Sequence, residues 1–199
     1  MNRSLDLTND RGVSDSPEGV AFLTALLVRF REIGSARLFS GSERPVPLHR
    51  LRLDFYFHRQ LAEDEWSDFE RRLQLSWRVF FQLQRLEPTF HEVVRGQAPF
   101  HELPFLLDED GWVEVSTLSV VRDLASLCLE ELALLVSLVN EYFEDALALN
   151  EEAPQEDTDQ HDEVIHRCLE RVRALPGEAV LTGFRDDMRV LIYSSQEEY

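Results

Sequence analysis

Apolar residues recur at helical spacing from Pro17 onward. Val20, Leu23, Leu27 and Phe30 share one stripe, Pro17 suits a first helical position, and Gly34 ends the segment. Residues 36–40 read as a short strand and SGSERPVP as a loop. The period then changes to two. Leu51, Leu53, Phe55 and Phe57 alternate with Arg52, Asp54, Tyr56 and His58, the pattern of a half-buried strand. AEDEWSDFE follows as a short helix or long turn. The longest alternation comes next: Leu73, Leu75, Trp77, Val79, Phe81 and Leu83 interleave with Gln74, Ser76, Arg78, Phe80, Gln82 and Gln84. This predicts a long antiparallel strand. Pro88 closes it, and the capping-box spacing of Thr89 and Glu92 before Gly96 predicts a helix of barely two turns. LPFLL and WVEVSTLSVV flank DEDG and read as a hairpin whose second arm puts Val113, Val115 and Val121 on one face.

The longest helix is predicted over 123–149, with Cys128, Leu132, Leu135, Val139, Tyr142, Ala146 and Leu149 stepping by three and four. Leu127, Leu134 and Leu138 add a second apolar flank. A stripe that wide predicts burial against both the sheet and a partner subunit, hence a homodimer with those three leucines at its interface. NEEAPQEDTDQ (150–160) is an acidic linker. HDEVIHRCLERVRAL is a helix with Ile165, Cys168, Leu169 and Val172 inward, and EAVLTGFRDDMRVLIYSS is a closing hairpin. The expected organisation is a flexible tail (1–16), an α+β domain (17–149), the linker, and a helix plus β-hairpin extension (161–199).

The stretch LPFLLDEDGWVEVSTLSVVRDLASLCLEELALLVSLVNEYFEDAL resembles the end of YbjN-family domains, where a strand, an acidic-Gly turn, a second strand and a long helix follow in that order. The order of elements from 17 to 149 is also similar to class I type III secretion chaperones, with their helix–three strands–helix–two strands–helix plan. The resemblance implies an α+β fold in which an antiparallel sheet is flanked by helices, a dimer, and a non-enzymatic role holding a client protein. It brings no catalytic residues. Residues 150–199 lie outside the plan.

Charge narrows the partners. The 199 residues carry a net charge of −18 and a pI near 4.6. Such a surface repels nucleic-acid phosphates and anionic membranes, and attracts basic partners. With 44% hydrophobic residues the chain can bury a core, and it holds no apolar run long enough to span a membrane. The polar start MNRSLDLTNDRGVSDSPEG lacks the apolar stretch of a signal peptide, so a cytoplasmic location is expected. All 20 basic residues are arginine, which excludes Schiff-base and P-loop lysine chemistry. Cys128 and Cys168 read as buried reduced thiols.

Candidate chemistry is sparse. Glu163 and His166 have the E-x-x-H spacing of helical di-iron sites, but no second pair exists, so no metal or other cofactor is expected. Asp108, Glu109, Asp110 and Gly111 lack the later ligands of a calcium loop. No G-x-S-x-G, G-x-G-x-x-G or H-E-x-x-H occurs, and no catalytic residue is assigned. Tyr56 and Phe80 are aromatics at otherwise polar strand positions; with Arg78 and Trp112 they are the candidate protein-binding residues. The expected function is a chaperone-like or adaptor protein that binds a client. The alternative is an acidic inhibitor or nucleic-acid mimic occupying the basic cleft of a DNA-binding protein.

Overall fold

The computed structural model describes residues 16–40, 49–98, 115–149, 158–174, 180–186 and 189–195. Helix α1 (Pro17–Arg29) starts where Ser16 Oγ accepts the Gly19 N–H at 3.2 Å, with proline at its first position. Strands β1 (Ser35–Ser40) and β2 (His49–Phe57) pair antiparallel, with Leu53 opposite Ala36 and Leu51 opposite Leu38. β2 is a strand as read, but it is not half-buried: Asp54 and Tyr56 on its other face are buried as well. Leu51, Leu53, Phe55 and Phe57 all point to the helical side.

The next two elements differ from the expectation. Residues 73–83 are helical: α2 runs from Glu63 to Gln84 as one 22-residue helix. Trp66, Phe69, Leu73 and Trp77 are its buried residues, spaced by three and four. The stretch from His91 to Ala98, expected as a short helix, is strand β3. It satisfies the free edge of β4 (Val115–Asp123), with Val93 opposite Val120 and His91 opposite Arg122. A two-turn helix there would leave that edge of β4 without ladder partners. The expected first hairpin arm, its DEDG turn and Val113 lie outside the described residues.

Helix α3 (Leu129–Phe143) is shorter than predicted. At its start the Asp123 carboxylate holds a turn by accepting from Ser126 N–H at 3.1 Å and Ser126 Oγ at 2.8 Å. After it the chain turns back to β2, where Ala148 N–H reaches Tyr56 O at 2.8 Å. Helix α4 (Thr158–Val172) packs on α1, and Arg29 meets Asp162 at 2.7 Å. Strands β5 (Val180–Asp186) and β6 (Arg189–Ser195) form the closing hairpin. It joins the main sheet through β5, which pairs with β1. The result is a six-stranded antiparallel sheet in the order β3-β4-β2-β1-β5-β6 with four helices packed against it. One strand fewer stands before the middle helix than in the chaperone plan.

The wide stripe around α3 is met within the chain. Leu127 and Leu138 lie in its own core and Leu134 is half-buried, because α2 and α4 both adjoin α3. Cys168 is buried, Cys128 is half-buried, and both are free. Burial pushes the Cys128 thiol up from its ordinary value, with the Glu130 carboxylate adding to the shift.

One ionic cluster ties the sheet to α3. Arg122 on β4 is buried and donates through Nη2 to Glu131 Oε2 at 2.9 Å, through Nη1 to Phe90 O at 2.8 Å, and to Asp123. Burial alone would raise the Asp123 carboxyl. The N–H of Phe90, Ser126 and the Arg122 charge outweigh it and hold the group below its ordinary value. Removing one member leaves buried charges without a partner. We therefore expect Arg122→Ala to lower unfolding free energy by about 3–5 kcal/mol in urea titrations followed by circular dichroism. Arg71→Ala, whose bridge to Asp68 is exposed, should change it by less than about 1 kcal/mol.

Candidate protein-binding surface

The acidic segment before the alternation is the start of α2. Glu63, Asp64 and Glu65 occupy its first turn, where carboxylates complement the helix dipole. Glu65 Oε2 accepts the Ala62 N–H at 2.8 Å, and its carboxylate takes two hydrogen bonds from Arg59 at 2.8 and 2.9 Å. The Arg59 bond first, then the Ala62 N–H, draws its pKa down from 4.5 to about 2. The opposite end is closed by Arg85 in the left-handed region at φ 54°, with Leu86 N–H bonding Phe81 O at 3.0 Å.

The inward side of α2 is aromatic. Phe69 meets Phe143 of α3 at 5.0 Å between ring centroids, and Phe143 meets Phe57 of β2 at 5.1 Å. Trp77 lies edge-on to His91 of β3 at 5.6 Å, and the Arg122 guanidinium sits over Phe81 at 5.4 Å. These contacts fix which side of the helix turns away. Leu75, Val79 and Leu83, at i, i+4 and i+8, are 50%, 47% and 77% exposed. They form one continuous apolar ridge. The remaining exposed large apolar residues among those described are Val94, Leu191 and Tyr193, on the two edge strands.

The residues singled out from sequence are not one constellation. Arg78 is exposed beside the ridge, and Phe80 is half-buried on α2, 5.9 Å from the Phe81 ring. Tyr56 is buried on the sheet side away from the helices. Its Oη shares a 2.9 Å hydrogen bond with Ser35 Oγ, and its ring lies where a Cβ on Gly34 would come within 2.1 Å. Trp112 lies outside the described residues. The candidate surface that the sequence reading missed is the ridge itself. The signal for it was Trp66 and Phe69, which extend the Leu73–Trp77 spacing back through AEDEWSDFE.

Polar clusters elsewhere are closed on themselves. Asp54 accepts from Ser35 Oγ at 2.8 Å, Ser119 Oγ at 2.6 Å and Arg52 Nε at 2.7 Å. Glu163 and His166 face solvent on α4, and among the described residues no three His, Cys, Asp or Glu side chains gather into a metal-binding group. No helix among them is long and apolar enough to cross a membrane. Comparison with family models, curated proteins and solved structures yields no match.

Two measurements check this geometry. Trp77→Ala should cost about 3–5 kcal/mol of stability and Leu83→Ala no more than about 0.5. A strand over 73–83 would place both residues on one face, and near-equal losses would restore that assignment. The depressed carboxyl of Glu65 stabilises the fold above its ordinary value of 4.5, and that contribution is lost as pH falls toward 2. Wild-type stability should therefore fall more steeply from pH 4.5 to 2 than that of Glu65→Gln, followed by thermal melts across the interval.

Proposed function

We propose that this protein is a non-enzymatic adaptor or chaperone-like protein that presents the outer ridge of α2 to a protein partner. The observation that carries the reading is the exposure of Leu75, Val79 and Leu83 in one row on a helix held firmly from behind. Aligned apolar side chains on an anchored helix are the hallmark of helix-to-helix or helix-to-groove recognition. The closed hydrogen bonding of the Asp54 and Arg122 clusters supports a structural rather than catalytic role for them. The resemblance to client-holding chaperones points the same way.

The ridge also favours the adaptor over the acidic mimic. A mimic docks through carboxylates, whereas this apolar row is bordered by Arg71, Arg72 and Arg78. The test compares the wild type with a variant carrying Leu75→Ser, Val79→Ser and Leu83→Ser. The variant should remain folded, bind less of an apolar fluorescent dye, and lose the proteins captured by the wild type from host extract, identified by mass spectrometry. Capture that is unchanged in the variant but abolished by moderate salt would reject the ridge and favour the mimic.

A further inference from the structure

The whole chain attracts basic partners, but the ridge does not share its charge. From Arg71 to Arg85 there is no acidic residue, and four arginines stand there: Arg71, Arg72, Arg78 and Arg85. The five acids of α2, Glu63, Asp64, Glu65, Asp68 and Glu70, all precede them. Arg71 and Arg72 lie one turn before Leu75, Arg78 one turn after it, and Arg85 closes the helix beyond Leu83. Arg71 bridges Asp68, with both side chains exposed. Arg72, Arg78 and Arg85 form no ion pair among the described residues and are exposed. An apolar row edged by exposed guanidiniums, three of them without an ion pair among the described residues, thus interrupts a chain that is acidic overall.

We propose that the ridge of α2 docks an acidic amphipathic helix of a partner protein, with leucine-like residues seated on Leu75, Val79 and Leu83 and carboxylates meeting Arg72, Arg78 and Arg85. Charge complementarity selects this occupant. A basic segment would meet Arg72, Arg78 and Arg85 at the point of contact, and like charges brought together there disfavour it. Guanidiniums pair with carboxylates in a bidentate fork, so a helix with glutamates flanking its apolar row gains orientation as well as attraction. The conformation of Arg85 fits a binding role. A left-handed residue at a helix end suits glycine, and an arginine there carries a backbone cost, so its side chain is the part that a binding role would use.

The inference rests on the adaptor reading above and names its partner, so the experiment separates the two. The probe is a synthetic amphipathic peptide of 22 residues, the length of α2, with leucines at i, i+3, i+4 and i+7 and glutamates on its polar face. A second peptide has lysines in place of the glutamates. Fluorescence anisotropy with the full chain should show the glutamate peptide binding at least about tenfold more tightly than the lysine peptide. Arg78→Glu with Arg85→Glu should reverse that preference while circular dichroism and thermal melting show the variant folded like the wild type. Arg85→Gly should melt no lower than the wild type yet bind the glutamate peptide more weakly. Equal binding of both peptides, preference for lysine, or no binding overturns the proposal. Sedimentation of the wild type and Leu83→Glu supplies the remaining outcome. A wild-type dimer that Leu83→Glu dissociates means a second copy covers the ridge; the acidic-helix occupant is then wrong, while protein binding through α2 stands.

Discussion

Among the described residues helix α2 is attached to the protein along one side only, and that attachment decides which of its side chains are exposed. Trp66, Phe69, Leu73 and Trp77 commit one face to the core, and their rings meet Phe143, Tyr142 and His91. Large aromatic side chains bury the most area per residue and define the rotation of a helix tightly. With that rotation set, positions 75, 79 and 83 have nowhere to go but solvent. The Glu65 hydrogen bonds and the left-handed turn at Arg85 then fix where the helix begins and ends.

The same geometry explains why a strand was expected at 73–83. In a helix, residues two apart lie about 200° around the axis. A strict alternation of apolar and polar residues therefore makes two opposite apolar rows once it is wound up: Leu73, Trp77 and Phe81 inward, Leu75, Val79 and Leu83 outward. Alternation alone identifies a strand only when one face is polar in the competing helix, and here neither face is. Length would have separated the two, because the inward row begins at Trp66 and strands rarely exceed about 10 residues. In β2 the run is short and the strand was read correctly, although Asp54 and Tyr56 on its expected polar face are buried too. The strand at 91–98 was hidden for a different reason. Its conformation is dictated by the edge of β4 that it fills, a constraint between residues 17 to 31 positions apart that no local spacing carries.

Burial of charge followed a rule that is equally invisible along the chain. Arg122 and Glu131 are nine residues apart and sit on different elements. Their pairing became possible only after β4 and α3 were laid against each other. Once formed it is costly to disturb, because each partner has been taken out of water and is compensated only by the others. The cluster joins β4 to α3, which carries Phe143 and Tyr142 to the underside of α2. Of the leucines assigned to a dimer interface, Leu127 and Leu138 belong to the core of the chain itself and Leu134 packs half-buried against it.

The ridge is too small to act alone. Three apolar side chains, already partly covered, offer on the order of 3–5 kcal/mol on full burial, while association costs at least about 4 kcal/mol in lost freedom. A stable complex needs something further, and α2 supplies two contributions. It is already ordered, so no binding energy is spent on forming the helix. It also carries arginines at close range within a strongly acidic chain. At physiological salt, screening acts over about 8 Å. A partner docked on the ridge as proposed would therefore respond to Arg72, Arg78 and Arg85 beside it far more than to carboxylates on distant elements. On that reading the net charge of −18 would govern how partners approach, and the local charge around Leu75, Val79 and Leu83 which of them can stay.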